Sequence, residues 1–244
     1  MKIENTEVFG FNSALRGMRN AKSSWDRIDS IKFNKLNPTR LIVDHKFIKE
    51  GLKESNHENF LIGDNDLKLA QTLIKAGSEH CKFMRQIQLW CDITMPRYWW
   101  SEADTYKIGT SANSTSTMHK LFNKQSKITL QLFEYDEYNR DIILKTIEEL
   151  NLLREKYFDA STQQEKDNIL KIAKQILPES YLNMRTFNAN YSTIRNIVLQ
   201  RKNHRLKNEW QNTFCKWVTT LPYAKELIFC GLEDEFERLR NLEN

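Results

Sequence analysis

Apolar residues recur at helical spacing over three stretches of the chain. In IGDNDLKLAQTLIKAG, Leu67, Leu69, Ala70, Leu73 and Ile74 share one face, with Asp66 placed as an N-cap and Gly77 as the stop. From Asp141 to Phe158 the face is Ile142, Ile143, Ile147, Leu150, Leu152 and Leu153, and from Gln163 to Ile176 it is Ile169, Leu170, Ala173 and Ile176, closed by Leu177-Pro178. Each of the three predicts a helix. Period two appears in HCKFMRQIQLWCDITM, where Phe83, Ile87, Leu89, Cys91 and Ile93 alternate with Lys82, Gln86, Gln88 and Asp92, the pattern of a half-buried strand broken at Pro96. YLNMRTFNAN alternates loosely, one long helix follows over Ser192 to Trp217, and a last one begins at Tyr223. Near the start, FNSALRGMRNAKSSWDRIDS reads as a short helix and loop rather than a separate domain.

Composition agrees with this helix-rich reading. Only 7 Gly and 4 Pro occur in 244 residues, too few for a barrel or sandwich of many tight turns. A chain that is 40% hydrophobic and 28% charged is long enough to bury its own core as one domain over 1–244. MKIENTEV lacks the apolar run of a secretory signal and no stretch is long enough to span a bilayer, so a cytoplasmic protein without a membrane partner is expected. Cys81, Cys91, Cys215 and Cys230 form no CxxC pair and have no His at ligand spacing, so buried free thiols are expected and no metal. The 37 basic and 32 acidic residues give a net charge of +5, compatible with any anionic partner. No Gly-rich phosphate loop exists, so a phosphate would be held by side chains and helix ends.

Polar groups suited to anions and planar rings concentrate in three places. Arg97, Tyr98, Trp99 and Trp100 follow the end of the predicted strand, where loops carry ligand sites and Arg beside aromatics can hold a phosphate while a ring stacks; both indoles could equally be core. Lys174 lies on the last turn of a helix, where a cation also suits the helix dipole. In RTFNANYSTIRNIVLQRKNHRLKNEWQ, Asn190 sits at the helix start, Asn196 and Arg201 follow, and Arg205 and Glu209 continue at four-residue steps, either as donors to a ligand or as a solvated ladder.

The order and spacing of these stretches resembles the flavin-dependent thymidylate synthases, most closely in the C-terminal third. The family carries a basic residue three before Leu-Pro, an Asn heading a helix, a second Asn on it, a Leu-Arg pair, and an Ala-Gln-Trp-Glu-like segment with its Glu eight after the Arg. Here the pattern reads Lys174, Leu177-Pro178, Asn190, Asn196, Gln200-Arg201 and Glu209-Trp210, without a gap. The resemblance implies an α+β fold, helices on a small mostly antiparallel sheet, and a homotetramer. It also implies FAD reduced by NADPH, with methylenetetrahydrofolate as one-carbon donor for methylation of dUMP or a related pyrimidine nucleotide.

Carried over by position, Lys174 stands at the nucleotide phosphate and Arg201 at the pyrimidine, as the catalytic group. Asn190 and Asn196 meet the flavin, and Ser192 replaces a family Arg for which Arg195 compensates. Upstream, the family's Arg-His-Arg motif and substrate loop keep only Arg97, followed by Tyr98. Lys107 takes the place of a Ser and Gly109 that of the last Arg. Arg97 is thus assigned to both flavin and substrate, Tyr98 to the flavin, and Lys107 to the substrate. Gly77-Ser78-Glu79-His80 resembles a shortened family entry motif that puts His80 near the flavin. The alternative is a non-catalytic protein of the same fold that binds nucleotides or single strands through the Arg201–Lys207 basic run with Trp99, Trp100 and Trp210. A solvated helix face explains that run better, so nucleic acid is disfavoured as a partner.

Overall fold

A computed structural model describes residues 1–32 and 59–242. In chain order the elements are β1 (Lys2–Phe9), α1 (Phe11–Met18), β2 (Ile31–Lys32), β3 (Phe60–Leu61), α2 (Asp64–Ala76), β4 (Gln88–Pro96), α3 (Arg97–Ala103), β5 (Thr110–Ser114) and α4 (Thr117–Lys120). Then come α5 (Arg140–Asp159), α6 (Gln163–Ile176), β6 (Leu182–Asn190), α7 (Tyr191–Arg201), a π-helix (Lys207–Cys215), α8 (Lys216–Val218), a shorter π-helix (Ala224–Ile228) and α9 (Glu233–Arg240). One sheet has the strand order β1-β4-β6-β5, and β2 pairs antiparallel with β3, Ile31 opposite Leu61. Among the described residues no helix is long and apolar enough to cross a membrane.

The described residues group into two compact units that alternate along the chain. The first draws on Met1–Lys2, Ile93–Thr105 and Asn113–Thr186, the second on Ile3–Asp92, Tyr106–Ala112 and Phe187–Asn244.

The first unit is organised by α5 and α6, both where the periodicity puts them. Thr162 caps α6 in a reciprocal capping box with Glu165, which satisfies two otherwise orphaned backbone donors. The inner faces of the two helices supply Ile143, Ile147, Leu150, Leu170 and Ala173 to a core completed by Leu121, Phe122, Ile128, Phe133 and Leu177. Arg154, also buried, donates from Nε to the Asn123 carbonyl (2.6 Å) and from Nη2 to that of Lys124 (2.8 Å), which spares it an unpaired buried charge.

The second unit is built around Phe11 of α1, whose ring stacks on Phe60 and meets the edges of Tyr191 and Tyr223 with centroids 5.5–6.0 Å apart. Asp66 is not the N-cap of α2: Gly63 holds that position and Asp66 lies fully buried in the first turn. Its carboxylate pairs with Arg19 (2.6 Å) and accepts from the Ser30 hydroxyl, so a group that local pattern assigns to a cap is taken by a tertiary ion pair. Gly77 ends α2 at φ +124°, as expected.

Three further expectations are corrected. The strand opens only at Gln88, because Lys82–Gln86 is a 3₁₀ turn that buries Phe83 and Met84; the alternating positions Ile87, Leu89, Cys91 and Ile93 are all buried. The helix expected over Ser192 to Trp217 breaks after Arg201. Arg238 of α9 donates to the Lys202 carbonyl (2.6 Å) and to Gln211 Oε1 (3.0 Å), and Gln211 reaches the His204 carbonyl (2.8 Å), a set of partners that holds residues 202–206 out of the helix. The last helical stretch is likewise divided, into the Ala224–Ile228 π-helix and α9.

Candidate functional site

In the second unit the assigned residues gather on and around α7. Asn190 is the N-cap: its Oδ1 accepts from the Thr193 N–H (3.0 Å). Its Nδ2 points to the Gly109 carbonyl (3.5 Å), and the Thr193 hydroxyl donates to the carbonyl of Ile108 (3.3 Å). The helix head therefore holds the 106–112 segment by its backbone. Gly109 has φ +79°, and a Cβ there would stand 2.6 Å from Thr193 Oγ1 and 2.7 Å from Asn190 Nδ2. A glycine is thus demanded at 109 by the backbone conformation and by packing. Lys107 beside it is exposed, as are His80 and Asn196. Asn196 accepts from Gln200 Nε2 (3.0 Å), and the His80 peptide N–H donates to the Gly77 carbonyl (3.1 Å).

Arg201 ends α7 half-buried. Its Nε donates to the Tyr106 hydroxyl (2.8 Å), which itself donates to Gln200 Oε1 (3.1 Å). The guanidinium carbon lies 4.7 Å from the centroid of Trp210 and 5.5 Å from that of Tyr106, and the two rings meet at 68°. Trp210 is supplied by the nine-residue π-helix, whose wide turn buries its indole completely together with Glu209. Arg205 lies exposed between the helices and Glu209 is buried, so Arg205 and Glu209 do not share a solvated face.

Arg195, half-buried on α7, donates from Nη1 to the Ile228 carbonyl, and burial lowers its pKa from the ordinary guanidinium value. Burial pushes the Cys91 thiol well up and that of Cys215 up to about 12. Both stay protonated at neutral pH and are inert as nucleophiles. All four cysteines are free and buried, and among the described residues no His, Cys, Asp and Glu group could hold a metal.

In the first unit Arg97, Tyr98 and Lys174 relate to the α6–β6 connection. Pro96 ends β4, and the expected loop after it is the helix α3, with Trp99 and Trp100 buried as core. The Trp100 indole N–H donates to the Asn183 carbonyl (2.9 Å). Arg97 grips the turn after α6: Nη1 donates to the Leu177 carbonyl (3.3 Å), Nη2 pairs with Glu179 (3.2 Å), and its peptide N–H reaches the Tyr181 carbonyl (3.1 Å). The Tyr98 N–H donates to the Glu179 carbonyl (3.2 Å). Lys174 is exposed and lines a shallow groove of about 420 Å³ with Met118, Asp167, Lys171 and Gln175.

Two residues of these clusters escaped sequence reasoning. Tyr106 carries no local signal, because its partners lie 94 and 95 residues away. Arg185 of β6 stacks over Trp100 (4.2 Å to the centroid) and pairs with Asp104 (2.8 Å); alternation along β6 was its only trace.

Neither a protein-family model nor a curated protein sequence matches the chain. Solved structures do. A flavin-dependent thymidylate synthase from Helicobacter pylori complexed with FAD and dUMP aligns over 94% of this chain and 98% of its own, at 14% identity and TM-score 0.60. A second structure of thymidylate synthase X from the same organism, with FAD and dUMP, aligns over 97% and 99%, at 15% identity and TM-score 0.62. At such identity the likeness is one of architecture. The chain has the fold of the flavin-dependent thymidylate synthases, an α+β architecture with a small antiparallel sheet.

Proposed function

We propose that the protein is an FAD-dependent enzyme that methylates dUMP or a closely related pyrimidine nucleotide, with NADPH as reductant and methylenetetrahydrofolate as one-carbon donor, and that it works as a homotetramer. The observation that carries the reading is α7 itself. Within this fold, Asn190, Asn196 and Arg201 lie 6 and 11 residues apart on one element, with Arg201 set against Tyr106 and Trp210. The Helicobacter pylori structures of this fold contain FAD and dUMP.

The donor chemistry fits both groups. A flavin edge alternates hydrogen-bond donors and acceptors, and the exposed amide of Asn196 and the imidazole of His80 offer both kinds, while Asn190, engaged with the Thr193 N–H and the Gly109 carbonyl, adds the second lone pair of its Oδ1. Arg97 and Tyr98 are the further flavin contacts of this reading. The flavin when bound supplies the hydride, so no protein nucleophile is needed, in keeping with the protonated, buried thiols of Cys91 and Cys215. Arg201 serves as the electrostatic group at the pyrimidine, since a guanidinium matches paired carbonyl acceptors. Lys174 takes the phosphate, with Arg97, Lys107 and Arg195 as the remaining substrate contacts. Burial of Trp99, Trp100 and Trp210 favours this reading over single-strand binding, because a buried ring offers no face for a base to stack on.

The test is to load the purified protein with FAD, supply dUMP, NADPH and labelled methylenetetrahydrofolate, and analyse the nucleotide by mass spectrometry. Labelled dTMP is the expected product. A protein that takes up no FAD yet shifts single-stranded DNA with a steep salt slope would overturn the enzyme reading.

A further inference from the structure

Arg201 reaches its place at the very end of α7, next to the break at residues 202–206, where a long side chain has wide rotamer freedom. An arginine in such a place is a poor recognition group unless something fixes its plane. Here Tyr106 and Trp210 converge on it. Tyr106, 9% exposed, offers its hydroxyl oxygen to Nε at 2.8 Å while its own proton goes to Gln200 Oε1. That orientation of the hydroxyl follows from the donors present, because the guanidinium can only donate and the Gln200 carbonyl can only accept. Trp210, fully buried, lies under the guanidinium. Tyr106 in turn is placed by a segment tied to the head of the same helix, through the Ile108 and Gly109 carbonyls and through Thr110, whose hydroxyl bonds the Tyr106 carbonyl (2.6 Å). Both ends of α7 thus act on one side chain: Asn190 and Thr193 hold the strap, and the strap's tyrosine holds Arg201.

We propose that Tyr106 is a positioning residue for nucleobase recognition, locking the plane of Arg201 against Trp210 through a Gln200–Tyr106–Arg201 hydrogen-bond chain. This rests on the assignment of Arg201 to the pyrimidine. The lock shifts the cost of ordering the guanidinium from the moment of binding to the moment of folding, so it raises affinity for the base without touching it. Its effect is confined to the base, whereas phosphate affinity is set elsewhere.

Tyr106→Phe removes the hydroxyl and keeps the ring, so the packing on Trp210 remains. On the full chain loaded with FAD, the expected result is about a tenfold weaker dUMP affinity, with affinity for deoxyribose 5-phosphate and for FAD unchanged. In the background of Arg201→Ala the same substitution should cost nothing further, since the lock has nothing left to hold. A readout that needs no nucleotide is the exchange rate of the Arg201 Nε–H by NMR, which should rise in Tyr106→Phe. Unchanged exchange, or equal losses for dUMP and deoxyribose 5-phosphate, would overturn the proposal. Wild-type protein that fails to bind dUMP, yet shows the exchange effect, would instead overturn the pyrimidine assignment and leave the lock intact.

Discussion

Arg97 and Arg201 carry the same guanidinium and use it differently. In the first unit Arg97 stands at the head of α3 and directs Nη1 to the Leu177 carbonyl and Nη2 to Glu179, across the turn that follows α6. In the second unit Arg201 stands at the tail of α7 and meets side chains: the hydroxyl of Tyr106 and the face of Trp210. The first arrangement fixes backbone; the second fixes a side chain. Residue type and spacing are the same kind of evidence for both, so the role of an arginine depends on whether its partners are carbonyls of a turn or an aromatic, hydroxyl-lined wall.

The contrast is sharpest when each cation is removed in turn. Arg201→Ala is expected to cost the largest amount, about 2–5 kcal/mol of pyrimidine nucleotide affinity by calorimetry, with the thermal midpoint nearly kept and FAD uptake unaltered. Unchanged nucleotide affinity would mean that the α7 assignment is wrong. Lys174→Ala should follow, weakening monophosphates by about 1.5–3 kcal/mol and nucleosides hardly at all; equal losses would remove Lys174 from the phosphate.

Arg97→Ala should cost about 1 kcal/mol of unfolding free energy in denaturant titrations, nearly all from the bond to the Leu177 carbonyl, because an ion pair exposed at both ends contributes little. A loss several times larger would show that Arg97 holds more than a turn. The smallest effect concerns pH. Hydrogen bonds from Lys202 and Arg238 hold the Glu235 carboxyl below the usual carboxylate range. The folded value lies below the unfolded one, so the stabilisation is present above the unfolded value and is lost as pH falls through the folded one. Glu235→Gln should therefore flatten the acid limb of the stability curve. An acid limb of unchanged slope would remove this residue from the anchor of the α7 terminus.

Much of the first unit was legible. In α5 and α6 the apolar face and the Leu177-Pro178 stop agree with one another, and each signal acts within a few residues. In the second unit the strand alternation at Ile87, Leu89 and Cys91, continued by Ile93, was legible for the same reason, since parity alone decides which side chains face the core. The rest of the second unit was harder to read. Asp66 has every local mark of a cap, yet a buried Arg19 claims it. The run from Ser192 to Trp217 is helical by pattern throughout, yet Arg238 of α9 and Gln211 of the π-helix bond the Lys202 and His204 carbonyls, which would continue the helix.

By itself the sequence determined the long helices, the buried thiols, and the spacing of Lys174, Asn190, Asn196 and Arg201, because periodicity and residue offsets are properties of the chain. The tertiary structure alone decided what those groups face. It put Tyr106 and Trp210 on Arg201, Leu177 and Glu179 on Arg97, and Gly109 against Thr193 and Asn190. Such partners lie far apart in the chain, and which pairs meet follows from packing the apolar faces, since hydrogen bonds add little until burial has excluded water.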